Sequence, residues 1–209
     1  MNDSNLIYLH EDINNRYEQS YVEDTNVLVT DIENTYFNLK AQQTDLVLLD
    51  KNVLVRKYVF ENNNSIDLDV SFVVNSRILS GNLENFGSRI IDNGIIQYNH
   101  NYSFSFFSNY ELSGHRLNDV QNIVDSFGFF DKDYIGMSNE VAAVYKLGVL
   151  KPKEQKEIVV YIYLNSTSDV QDDIVQLSRM DVNSKINEVC KYWKNYVELH
   201  KKIKFKNYI

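Results

Sequence analysis

Ile66-Asp67-Leu68-Asp69-Val70-Ser71-Phe72-Val73-Val74 is the stretch whose reading decides the fold class. Apolar residues fall on every second position from Ile66 to Val74, with Asp67, Asp69 and Ser71 between them. An extended chain then turns one face to a core and the other to water, whereas a helix would scatter the same residues around its axis. Upstream lies a second run, Val53-Leu54-Val55-Arg56-Lys57-Tyr58-Val59-Phe60, and Glu61-Asn62-Asn63-Asn64-Ser65 between them supplies residues that suit turns. The two runs are expected to form a hairpin or neighbouring antiparallel strands.

The same rhythm extends from Thr25 to Leu164, as short Val, Ile, Tyr and Phe segments broken by Asn, Asp, Gly and Ser. Arg89-Ile90-Ile91 and Ile95-Ile96-Gln97-Tyr98 flank Asp92-Asn93-Gly94, whose Asn-Gly step predicts a tight hairpin turn with positive φ angles. Tyr102 to Tyr110 reads as a strand covered on both faces, because adjacent Phe106 and Phe107 point opposite ways. Glu140 to Leu147 and Glu157 to Leu164 form a late pair joined through Pro152, which presets φ for a turn and lacks the N–H that a central strand needs. After Asn165 the period changes to that of a helix. Ser168-Asp169-Val170-Gln171 fits a capping box, and Val182, Ile186, Val189, Cys190, Trp193, Tyr196 and Val197 make an apolar helical stripe opposite Lys185, Lys191, Lys194 and Glu198.

Composition narrows the class further. The 209 residues are 44% hydrophobic, which a globular core needs, and contain seven Gly, one Pro and one Cys, which exclude low-complexity and disulfide scaffolds. A net charge of −8 argues against a nucleic-acid partner. No apolar run approaches the roughly 20 residues of a bilayer-spanning helix, and the first residues lack the basic and apolar regions of a secretory signal. No membrane partner is therefore expected, and the expected compartment is the cytoplasm. Charge is unevenly placed: residues 1–35 carry eight acids against Arg16 alone, and residues 185–209 carry seven Lys against Glu188 and Glu198. Both runs read as solvated faces.

No reaction is visible in the residues themselves. His10, His100, His115 and His200 are far apart, Cys190 reads as a small core residue, and Asp169, Asp172 and Asp173 suit a helix N-terminus better than a cation. Ser113-Gly114-His115 is too common a triplet to mark a nucleophile, and no phosphate-cradling glycine loop occurs. No catalytic, cofactor-binding or metal-binding residue is expected, no cofactor is called for, and a carbohydrate-binding residue cannot be named from the pattern. With 29 acids, an independent hydrolase with its own carboxylate pair stays open.

One resemblance goes further. Gln19-Ser20-Tyr21-Val22-Glu23-Asp24-Thr25-Asn26-Val27-Leu28-Val29-Thr30, then Asp45, then Val53 to Tyr58 and Glu61-Asn62-Asn63 resemble the N-terminal β-domain of bacterial glucoamylase-like proteins of glycoside hydrolase family 15. The family's "Y-K-L-G-x-L-x-P-G-E" turn is matched by Tyr145 to Glu154, with Lys153 in place of the glycine, and Trp193, Tyr196 and His200 resemble its linker helix. The resemblance implies a mainly β fold: an antiparallel β-sandwich of the supersandwich, galactose-mutarotase-like type over residues 1–165, with an amphipathic helical linker over residues 166–209. It also implies that the family's first strands would precede Met1 and that its (α/α)6 catalytic barrel, which holds both catalytic Glu residues, would follow Ile209. The expected role is a non-catalytic accessory domain whose partner is that barrel or carbohydrate, the alternative being a stand-alone carbohydrate-binding or protein-interaction module. Missing neighbours would leave strand edges and the Ile186, Val189, Trp193, Val197 stripe exposed, so a homodimer through either is expected.

Overall fold

The computed structural model describes residues 5–78, 86–120, 132–166 and 170–201. Twelve antiparallel strands form two sheets among these residues. The first four, β1 (Asn15–Tyr21), β2 (Leu28–Asn34), β3 (Leu39–Val47) and β4 (Val53–Asn62), run as a meander. Next to β4 comes β12 (Gln155–Asn165), then β8 (Ser103–Ser108), β7 (Gly94–Tyr98), β6 (Gly87–Ile91) and β10 (Ile135–Met137), completing a nine-stranded sheet. A three-stranded sheet, in the order β5 (Leu68–Arg77), β11 (Glu140–Leu150) and β9 (Gly114–Leu117), lies over one of its faces. Two helices, α1 (Gln171–Ser178) and α2 (Val182–Lys201), lie over the other.

Alternation along the strands builds this layering. Tyr58, Phe60, Ile95, Phe106, Ile158 and Val160 leave the large sheet on one side and pack with Phe72, Val141, Ala143 and Tyr145 of the small sheet. Val53, Val55, Phe107, Val159 and Tyr161 leave it on the other side and pack with Ile174, Leu177, Val182 and Val189 of the helices. Each large side chain so enclosed contributes about 1.5–3 kcal/mol. The expectation for Phe106 and Phe107 holds, with one ring in each core. Residues 6–9 run along the small sheet, where Leu6 and Tyr8 meet Ala142 and Val120 on its outer face. Between the sheets, Ser76 Oγ donates to Gln97 Oε1 (2.9 Å), while Gln97 Nε2 (3.3 Å) and Ser88 Oγ (2.9 Å) donate to the Ser138 carbonyl.

Several expectations need correction. Strands β4 and β5 are not paired: β4 joins the large sheet and β5 the small one. The chain crosses between layers at Asn62, a buried amide whose Nδ2 donates to the Ile66 and Leu150 carbonyls (2.8 Å each) while its Oδ1 accepts from Asn64 N–H (2.8 Å). The late strands β11 and β12 likewise go to different sheets, joined by the Pro152 turn. The hairpin at Asp92-Asn93 forms, yet no residue from Asp92 to Gly94 has positive φ. Gly94 is required there by close approach instead, since a Cβ on it would lie 2.3 Å from the Phe106 carbonyl oxygen.

The helical part differs too. Helix α1 starts at Gln171 behind Val170, with no side-chain cap; Ser168 and Asp169 of the expected capping box lie outside the described residues. Most of the stripe expected to be exposed is covered, because the large sheet presents a second apolar face: Val189 is 1% exposed, Ile186 and Trp193 pack on the same core, and Val197 is half-buried. The exposed aromatic face of α2 is carried by Tyr192 and Tyr196, with Leu199 beyond them.

Candidate functional site

The residues that carry the family resemblance come together in space. Tyr21 of β1 stands opposite Leu28 of β2, Leu28 opposite Asp45 of β3, and Asp45 opposite Arg56 of β4, so one row crosses four strands. The next row is Gln19, Thr30, Gln43 and Tyr58. Both lie on the face that carries Tyr58 and Phe60 into the core beneath the small sheet. The row is polar where that core gives way to solvent: Arg56 Nε donates to Asp45 Oδ1 (2.7 Å), and Gln43 Nε2 donates to Asp45 Oδ2 (2.6 Å). Burial opposes the Arg56 charge, but Tyr58 and Asp45 outweigh it and hold its pKa above the usual guanidinium value. Burial also pushes the Tyr58 phenol up to about 12. Tyr21, 66% exposed, ends the row at the open edge.

The remaining motif residues serve the backbone. Thr25 Oγ1 donates to the Val22 carbonyl (2.8 Å) and accepts from Val27 N–H (3.1 Å), closing the β1–β2 turn in which Asp24 takes φ of 56°. At the opposite end, Lys151-Pro152-Lys153-Glu154 is a turn closed by Glu154 N–H to the Lys151 carbonyl (2.9 Å), with Lys153 at φ of 65°. That is the position where the family pattern has glycine. A positive φ there suits glycine and strains lysine.

A second surface lies on α2. Tyr192 and Tyr196 are 48% and 45% exposed, their rings 6.5 Å apart and 17° from parallel, and Trp193 supports both edge-on at 5.6 Å. His200 packs on Tyr196 at 4.1 Å and its Nδ1 lies 2.8 Å from the Tyr196 carbonyl. The end of α2 meets the β1–β2 turn, where Lys201 Nζ donates to both Asp24 oxygens (2.9 and 2.8 Å) beside an open cleft of about 300 Å³ lined by Glu23, Asp24, Lys194, Glu198 and Lys201. The acidic start and basic end of the chain therefore meet in one contact; Lys202, Lys204 and Lys206 lie outside the described residues.

The other expected candidates do not converge. His115 is buried with Nε2 2.9 Å from the Asp133 carbonyl, His10 is exposed beside Glu11, and His100 is exposed in a loop. Asp173 fastens α1 to the sheet: it accepts from Lys51 Nζ and from Tyr163 OH (2.8 Å), and these bonds lower its pKa, Lys51's contributing most. Among the described residues no three His, Cys, Asp or Glu side chains are grouped to hold a metal ion. Sequence reasoning missed Gln43 and Tyr192. Only Tyr192 had a signal, its spacing of four from Tyr196 on a helix.

The comparison that decides the fold is with a solved structure. The chain is similar in fold to part of a bacterial glucoamylase. That structure, a complex with acarbose, superimposes at a TM-score of 0.69 and 15% identity over 89% of this chain, and the chain spans 29% of the glucoamylase's length. Two weaker likenesses are to a family GH92 α-mannosidase from Bacteroides thetaiotaomicron (TM-score 0.42, 13% identity, 80% of this chain and 23% of that one) and to a candidate aldose 1-epimerase from Escherichia coli K12 (0.44, 10%, 73% and 69%). No family model and no curated protein matches the sequence. The glucoamylase likeness agrees with the antiparallel sandwich that the sequence resemblance implied.

Proposed function

We infer that this chain is the accessory β-sandwich domain of a glucoamylase-type carbohydrate-active protein, and that the chemistry resides in a catalytic barrel on which it docks. The observation that carries this reading is the correspondence of 89% of the chain with 29% of a bacterial glucoamylase. Two of the 29 acids are tied into the fold instead of poised as an acid. A general acid for glycoside hydrolysis needs a raised pKa. The Asp173 carboxyl is held down by Lys51 and Tyr163, and both Asp45 oxygens are occupied by Arg56 and Gln43. The docking face is the outer side of α2, where Tyr192, Tyr196 and Leu199 stand in solvent while the inner side is held by the large sheet.

The test is glucose release from maltose and soluble α-glucan. The 209-residue chain alone should release none, and adding it to a separately expressed glucoamylase-type barrel should raise that barrel's thermal stability or turnover, an effect that Y192A/Y196A removes. Turnover by the chain alone would overturn this reading.

A second reading, a stand-alone carbohydrate-binding module, is favoured by the near-parallel Tyr192 and Tyr196 rings, since a sugar face stacks on such a platform. Calorimetric titration with maltooligosaccharides separates the two: binding lost in Y192A/Y196A, without any effect on a barrel, selects the module.

A further inference from the structure

Among the described residues, strand β1 is the outer strand of the nine-stranded sheet, and its seven residues pair only with β2. Its hydrogen-bonding phase is set by the flanking contacts: Val22 N–H donates to the Val27 carbonyl (2.9 Å) and Thr35 N–H to the Asn14 carbonyl (2.9 Å). Even-numbered residues therefore turn their N–H and C=O toward β2. Odd-numbered residues Tyr17, Gln19 and Tyr21 turn theirs to the free edge, while the Asn15 N–H is already given to the Asp12 carbonyl (3.0 Å). The usual devices that blunt such an edge, namely proline, a bulge or charges of one sign, are missing: the β1–β2 register is unbroken over all seven residues, and the two charges, Arg16 and Glu18, are opposite. Among the described residues neither Arg16 nor Glu18 has an ion-pair partner.

We propose that β1 pairs antiparallel with β1 of a second copy, across a two-fold axis through Tyr17, joining two nine-stranded sheets into one. In this register Tyr17 faces its own copy as a hydrogen-bonded pair, Asn15 faces Gln19 on each side, and Arg16 faces Glu18 twice. The alternatives are poorer. An axis through Glu18 sets that carboxylate against itself, and one through Gln19 leaves Glu18 opposite Ser20 and Arg16 opposite Val22. Registers in between would put residues from opposite faces of the pleat against each other. The axis stands perpendicular to the sheet, so both helix layers lie on the same side and the outer face of α2 stays free.

Charge reversal tests both the dimer and its register, with mass measured by light scattering across a concentration series. Wild type should be a dimer at high concentration. R16E and E18R should each weaken dimerisation at least about tenfold, because each replaces two attractions by two repulsions. An equimolar mixture of R16E and E18R should form a heterodimer, since every cross-edge pair is again opposite in charge. That recovery also shows that both variants fold. A monomer at all concentrations overturns the proposal, as does a dimer that R16E and E18R leave unchanged or that Y192A/Y196A dissolves.

Discussion

Lys153 shows how a single residue can be read from sequence and explained only by structure. The family-like turn pattern marks it as a departure, and its φ of 65° gives the reason that glycine belongs there. Lysine in this region costs about 1–2 kcal/mol, partly offset by its lower unfolded-state entropy and by its Nζ bond to Asn63 Oδ1 (2.6 Å). Lys153→Gly should therefore stabilise the protein by about 0.5–1 kcal/mol in urea unfolding. Gly148, at φ of 75° beside the β11 bulge, gives the opposite sign: a Cβ there finds room, 3.6 Å from Lys156 Nζ, so Gly148→Ala costs only the backbone strain, about 1–2 kcal/mol. Asn62 belongs to the same end of the sandwich, and its burial was invisible in a run of three asparagines. Asn62→Ala leaves two carbonyls and one N–H without their partner and should cost about 3 kcal/mol by the same measurement.

Individual strands and helices were legible because alternation and helical spacing are local properties. Their pairing was not: Val53 to Phe60 and Ile66 to Val74 look like a hairpin in sequence but lie in different layers, a choice made by contacts with β12 and β11 that come much later in the chain. The attachment of α1 was equally hidden, since it joins Lys51, Tyr163 and Asp173 from three elements. That attachment is pH-dependent. Asp173 has a folded pKa below the ordinary 3.8, so its contribution is complete above that value and is lost as pH falls through the folded pKa. Lys51 and Asp173 side chains are each about one-third exposed, so screening limits the effect to about 0.5–1 kcal/mol. Wild type should lose up to that much more stability than D173N as pH falls from about 6 to about 2, below the ordinary 3.8, and added salt should shrink the difference. Equal losses in the two proteins would mean that the contact does not hold in solution.

At the scale of the whole molecule, the sequence divides at residue 165 into a sandwich and a helical segment, whereas the packing runs through that boundary. Val53, Val55, Phe107, Val159 and Tyr161 are buried by α1 and α2 as fully as the opposite face is buried by the small sheet. The helices thus do two things at once, sealing the second core with Ile174, Leu177, Val182 and Val189 and holding Tyr192 and Tyr196 outward. A chain ending at residue 165 would expose a broad apolar sheet face, so it should bind a hydrophobic dye and aggregate instead of unfolding cooperatively as a monomer. In the 209-residue chain, Val189→Asp would bury a charge against that face and should cost about 3 kcal/mol or more. Tyr192→Ala, one turn away but facing solvent, should change stability by less than about 0.5 kcal/mol while removing the docking effect on a barrel. That separation follows from the layering: one face of α2 is buried in the second core, and the other, with Tyr192 and Tyr196, is exposed. If a 165-residue chain folds as a stable monomer, the helices are an appendage and the third layer contributes nothing to the stability of the sandwich.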